Sequence, residues 1–253
     1  VASKRMTHGP VVTHRMTQGS REGDYAGQVC TPVGEPSSRS HARMSEQEGR
    51  MGAVIQPGDV HRGLHDGDDP VSAVEAVMQA AIAVEPEVTT EVLRVAEVIG
   101  GEVSRLASRL KERESALAKL ERFRRRKSPR YRLRPFNDAL RYTIVLPDLI
   151  YWRASERVLD EFVAAGFAVV VSRNRWHTDS YKGLNVTFQS PDGFHFEVQL
   201  HTPRSLGAGE LTHDAYAARR ELTRDAAGAL AQEQEEAEVW KRVPVPPGGP
   251  TVD

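Results

Sequence analysis

Gly183-Leu184-Asn185-Val186-Thr187-Phe188-Gln189-Ser190-Pro191-Asp192-Gly193-Phe194-His195-Phe196-Glu197-Val198-Gln199-Leu200-His201-Thr202 reads as two strands joined by a tight turn. Ser190-Pro191-Asp192-Gly193 supplies the turn chemistry: proline presets one dihedral and glycine tolerates what side chains avoid. In the second strand apolar and polar residues alternate, so Glu197, Gln199 and His201 project from one face. An acid, an amide and an imidazole in a row make a poor core. They make a suitable floor for a site that handles a metal or a phosphorylated ligand, although alternation by itself also fits the solvent face of an antiparallel sheet.

Working outward, Leu140–Leu146 is a β-rich run ended by Pro147, and Phe167–Val171 is a further strand. Residues 153–165 form a helix stopped by Gly166, and 204–222 and 225–240 are helical. Upstream, 71–84 and 88–126 read as helices broken at Pro86, the second with Val92, Val95, Val98, Val103, Leu106, Leu110, Leu117 and Leu120 at helical spacing. Helices, a strand, a helix, three strands and helices make an α+β domain, with a mixed, mainly antiparallel sheet packed against helices.

The 253-residue chain divides unevenly. Residues 1–70 carry Gly, Ser, His, Arg and Asp without a hydrophobic period, and are expected to be disordered because they bury too little apolar surface to offset ordering. Met44 or Met51 is an alternative start. Residues 71–242 form the folded domain, and 243–253 are a Pro/Gly-rich tail that cannot be helical. With 34 basic against 35 acidic residues, no global field points to nucleic acid or membrane. The single cysteine, Cys30, excludes an internal disulfide framework and fits a reducing cytoplasm. No apolar run approaches the ~20 residues of a membrane helix.

Four polar residues precede the first strand: Arg109, Lys111, Ser115 and Lys119. On one helix Lys111, Ser115 and Lys119 are successive i,i+4 neighbours, with Arg109 reaching over from beside them. Three cations and a hydroxyl suit a polyphosphate, whose oxygens accept charge-assisted bonds, although a solvated basic face has the same spacing. Asp138 heads the next strand. Beside Glu197 it could hold Mg2+, which favours one or two carboxylates plus substrate phosphates; a plain loop carboxylate fits the local sequence equally well.

Together these segments, over about 105–220, resemble the synthetase domain of the RelA/SpoT family, the nucleotide pyrophosphokinases that make alarmones such as ppGpp. The family's R-x-K-x(3)-S-x(3)-K pattern is matched by Arg109, Lys111, Ser115 and Lys119. Its Asp-headed strand is matched by Asp138–Val145, and the tyrosine of N-G-Y-x-S-L-H by Tyr181. Its E-I-Q-I-R-T corresponds to Glu197-Val198-Gln199-Leu200-His201-Thr202, a later Glu to Glu210, and an aromatic-flanked His to His213 with a three-residue offset. The departures fall elsewhere: Asp179-Ser180 replaces Asn-Gly, Asn185 and His177 replace a His and a Lys, His201 replaces an Arg, and Thr143 takes the place of an arginine that Arg141 could supply. Donor-side and metal-side positions match, whereas positions around the acceptor differ.

The resemblance implies transfer of the β,γ-pyrophosphoryl group of ATP to the 3′-hydroxyl of a purine nucleotide, with Mg2+ as cofactor. It implies Asp138 and Glu197 as catalytic and metal-holding residues, and Arg109, Lys111, Ser115 and Lys119 as the ATP grip. Tyr181, Lys182, Gln199, His201 and His213 would meet the acceptor, with Tyr181 stacking on its base. The HD-type hydrolase site that accompanies some synthetases has no counterpart in 1–104, so a synthetase-only or toxin-like member is expected, and a homo-oligomer is compatible with it. Nine of the sixteen residues from Lys119 to Arg134 are Lys or Arg. That cluster suits an RNA backbone, which keeps the 3′ end of tRNA open as an alternative acceptor. A catalytically silent nucleotide sensor is the third possibility, favoured by the loss of arginine at His201 and opposed by the retained carboxylates and cations.

Overall fold

The structure, a computed structural model, describes residues 69–125, 136–213 and 227–249. The expected disorder before residue 69, and the basic run from 126 onward, lie outside these residues. Asp69 and Pro70 do not belong to the N-terminal segment: they open the first helix. The Asp69 carboxylate accepts from the Ser72 backbone N–H at 2.9 Å, and Pro70 takes the first helical position, where its missing N–H costs nothing.

Helix α1 runs unbroken over Pro70–Ile99, so the expected interruption at Pro86 is corrected. The carbonyl that Pro86 leaves without an N–H belongs to Ile82, which is exposed, so water can satisfy it. Val74, Val77, Ala81, Val84, Val88, Val92 and Val95 keep one buried stripe across the proline. The helix stops instead at Gly100. Its φ of 69° is left-handed, and its N–H closes onto the Ala96 and Glu97 carbonyls. Gly101 then passes so close to the sheet that a Cβ would lie 3.0 Å from Ile144 and 3.2 Å from the Val145 carbonyl.

These two glycines release a short strand that helical periodicity had absorbed. β1 is Glu102–Ser104, followed by a single tight turn at 106–108, and α2 begins only at Arg113, spanning Arg113–Arg125. The other elements are β2 Arg141–Val145, α3 Tyr151–Ala164, β3 Ala168–Asn174, β4 Leu184–Gln189, β5 His195–His201, α4 Pro203–Leu211 and α5 Ala227–Lys241. β3 runs on past the expected Val171, and the helix expected over 204–222 is capped at Thr212, with 214–226 outside the described residues. The sheet order is β1-β2-β5-β4-β3. Among the described residues only β2 and β5 run parallel, and the other three pairings are antiparallel.

Pairing fixes what each face holds. Tyr142, Ile144, Phe196, Val198, Leu200, Leu184, Val186 and Phe188 share one face, all buried, each worth about 1.5–3 kcal/mol on burial. Phe162 of α3 seals that face, its ring centroid 4.4 Å from Phe188. The opposite face is polar along its length. Ser104, Thr143, Gln199, Asn185 and Arg173 form one rung across all five strands, and Arg141, Glu197 and Thr187 form the next. The tail is also engaged: the Trp152 indole N–H donates to the Pro246 carbonyl at 3.0 Å, and the Lys182 ammonium to the Val243 carbonyl at 2.8 Å. No helix among the described residues is long and apolar enough to cross a membrane.

Candidate active site

Parallel pairing of β2 with β5 places Arg141 beside Glu197, and Asp138 sits in the turn that leads into β2 rather than on the strand itself. The Glu197 N–H donates to the Leu140 carbonyl at 3.0 Å, which draws the Asp138 turn and Glu197 to the same end of the sheet. Lys111 does not extend α2 as its spacing suggested: it lies in the extended segment before the helix, its N–H bonded to the Ala139 carbonyl at 2.9 Å. Its side chain nonetheless meets that of Lys119. Lys111 Nζ lies 2.9 Å from Asp138 Oδ2, and Lys119 Nζ lies 2.6 Å from Oδ1. A β-type pairing and a helix, rather than one helical face, bring the two ammoniums to one carboxylate.

Burial alone would raise the Asp138 carboxyl, but the two lysines overcome it and hold the group at about 2. Lys111 is pushed down, burial outweighing its attraction to Asp138. Glu197 is raised, first by burial and then by the nearby Asp138 charge, with the Gln199 amide donating to it at 2.7 Å. The two carboxylates are therefore close enough to repel. One is neutralised by lysines and the other is held nearer to protonation. Asp138 and Glu197 are the two carboxylates here that could hold a divalent cation together with substrate oxygens, the lysines then turning from Asp138 to those oxygens.

Arg109 is oriented by a partner invisible to the motif. Its guanidinium pairs with Glu85 of α1 and donates to the Leu106 carbonyl at 2.9 Å. Glu85 in turn accepts from Thr89, whose hydroxyl meets the Tyr142 hydroxyl at 2.7 Å. Ser115 is exposed on the first turn of α2, one turn before Lys119.

At the other end of the polar face, Tyr181 is tied into the sheet. Its hydroxyl donates to Asn185 Oδ1 at 2.6 Å and meets His201 Nε2 at 2.9 Å, while His201 Nδ1 meets the Ser205 hydroxyl at 2.9 Å. Burial, then the Arg105 and Arg141 charges, lowers His201 to about 4, so the imidazole is neutral at pH 7. The Tyr181 ring leans on Trp240 of α5 at 5.6 Å. Lys182 points its ammonium at the tail, as above. His213 is exposed just past α4, whose Glu210 pairs with Arg105 at 3.4 Å. Glu85 and Arg105 were not picked out from the sequence. No spacing rule joins residues 85 and 109, which meet only because α1 doubles back over the segment after β1.

Fold and side chains thus define an α+β domain whose sheet carries a polar face, with the Asp138–Lys111–Lys119 cluster near one end and the Tyr181–Asn185–His201 cluster at the other. No protein-family model matches the chain, and no curated protein does. Among solved structures, it is similar to the type VI effector Tas1, crystallised with its immunity protein, at 20% identity over 67% of this chain and 95% of that one, with a TM-score of 0.45. It is also similar to small alarmone synthetase 1 from Bacillus subtilis bound to pppGpp (17% identity, 63% and 86% coverage, TM-score 0.43). Small alarmone synthetase 2 from Bacillus subtilis gives 14% identity, 66% and 94% coverage, and a TM-score of 0.42.

Proposed function

We propose that this protein is a RelA/SpoT-like pyrophosphokinase that moves the β,γ-pyrophosphoryl group of ATP to the 3′-hydroxyl of a purine nucleotide. The observation that carries it is the convergence of Lys111, Lys119 and Asp138 beside Glu197, where cations for a polyphosphate adjoin two carboxylates for a metal. The acceptor 3′-oxygen bonds to the β-phosphorus as the bond to the α-phosphate oxygen breaks, and AMP leaves. Such transfer is mostly positioning and neutralisation of charge. When bound at Asp138 and Glu197, Mg2+ would supply Lewis-acid neutralisation of the phosphate oxygens.

The protein's own groups do the remainder. Lys111, Lys119 and Arg109 grip the donor polyphosphate, with Ser115 adding a hydroxyl. Glu197, raised towards neutrality, is matched to receive the 3′-hydroxyl proton. Tyr181, steadied by Asn185 and His201, offers a ring to the acceptor base, with Gln199 beside it; Lys182 anchors the tail next to that ring, and His213 stands at the rim. A free nucleotide is favoured as acceptor because the Tyr181 ring and the Gln199 amide supply a stacking platform and a polar contact without an RNA-binding domain. The tRNA alternative rests on the altered acceptor motif and on the basic run after Lys119, most of which lies outside the described residues.

Lys119→Ala and Arg109→Lys are expected to raise the Michaelis constant for ATP about tenfold or more, as lost charge-assisted bonds to phosphate do. The lysine variant keeps Glu85 paired. The constant for the acceptor should stay within about twofold. Steady-state kinetics with each substrate varied in turn check this, and an effect confined to the acceptor would reverse the two ends of the polar face.

A further inference from the structure

Arg105 is the one non-glycine among the described residues with a positive φ, 56° at ψ 31°. Arginine gains nothing locally from that conformation: its Cβ crowds the following carbonyl, and it lacks the short polar side chain with which Asn or Asp compensates. Nothing in the turn chemistry demands arginine there, since glycine would fit without strain. Backbone strain of this kind persists where the side chain is wanted in one place. Arg105 follows the Ser104 rung of the polar face directly. Its guanidinium reaches Glu210 only at 3.4 Å, and both side chains are well exposed to water, so this ion pair is too weak to explain the strain.

The surroundings say what the cation is for. The donor end already holds Arg109, Lys111 and Lys119. At the acceptor end His201 is neutral, the Lys182 ammonium is turned to the Val243 carbonyl, and Arg173 stands on the opposite edge strand, beyond Asn185. A nucleotide acceptor brings 5′-phosphates with it, and a cation is needed to meet them. Glu210 adjoins Gly209, where a Cβ would lie 3.7 Å from the Trp240 ring, and Tyr181 leans on that same ring, so the pair with Glu210 sets the Arg105 guanidinium near the Tyr181–His201 end of the face. Building on the pyrophosphokinase reading above, we propose that Arg105 is a specificity-determining residue that leaves Glu210 to bind the 5′-phosphate of the acceptor nucleotide. The strained turn aims it, and the loose pair with Glu210 holds it until the phosphate arrives.

The test is equilibrium binding, with no turnover required. GDP, GTP and ADP are titrated against guanosine and adenosine, on the wild type, Arg105→Gln, Arg105→Lys and Arg105→Gly. The wild type is expected to prefer nucleotide over nucleoside, and Arg105→Gln to lose about tenfold of that preference while nucleoside affinity holds. Arg105→Lys should retain part of it. Arg105→Gly should lose it as fully as glutamine does, yet melt at or above the wild-type temperature, because the left-handed conformation then costs nothing. A merely structural Arg105 would leave the nucleotide-to-nucleoside ratio unchanged in every variant, and that result overturns the proposal alone. A wild type that shows no preference for nucleotide over nucleoside overturns both this assignment and the nucleotide acceptor.

Discussion

Glu197→Gln is expected to lower the turnover of pyrophosphoryl transfer about a thousandfold, within the range lost when a general base or a charge-stabilising group is removed. The substitution keeps shape and volume but removes both the charge that would share a cation with Asp138 and the atom that would take the hydroxyl proton. Burial and the neighbouring Asp138 already make the charged form of Glu197 costly, so neutralising it should not harm folding. Thermal melting of the variant is therefore expected within a few degrees of wild type. Rate and melting together separate a site residue from a structural one. Near wild-type turnover in the glutamine variant would remove Glu197 from the chemistry.

Asp138→Asn should be costly in both respects, and this sets the two carboxylates apart. Asp138 is the shared counter-ion of two lysines, at 2.9 and 2.6 Å, and losing it leaves two largely buried ammoniums facing each other. Transfer should fall to background, and stability at pH 7 by about 2 kcal/mol. The sign follows from its depressed carboxyl: at about 2 in the folded protein against an ordinary 3.8, the group stabilises the fold above pH 4. That contribution drains away as pH falls from 4 towards 2. Denaturant unfolding of the wild type should show this loss, and the asparagine variant should lack it. Equal acid sensitivity in both proteins would mean that the lysines do not hold Asp138 as described.

How much of this was legible beforehand depends on the range of each signal. The β4–β5 hairpin was legible because alternation and turn chemistry are both local, and the polar face of β5 followed from them. Strand pairing then carried Glu197 next to Arg141, which a linear reading cannot show because β2 and β5 are parallel and over fifty residues apart. Pro86 misled because a proline can sit within a helix when the orphaned carbonyl faces water. β1 was hidden because Val103 and Leu106 continue a helical period, although Gly100-Gly101 was the better signal. Lys111 was grouped with Lys119 for the wrong reason: the spacing suggested one helix face, and the fold brings the two ammoniums together at Asp138 through an extended segment. Glu85 and Arg105 had no sequence signal, one being a distant counter-ion and the other a backbone conformation.

The central claim is the transfer itself, and it is tested by incubating the protein with Mg2+ and ATP labelled in its γ-phosphate, together with GDP, GTP, ATP or deacylated tRNA, and resolving the products. The account predicts a labelled purine nucleotide two phosphates larger than the acceptor, with unlabelled AMP appearing in equal amount. Label released only as inorganic phosphate, with ADP in place of AMP, or label carried by tRNA alone, would contradict it.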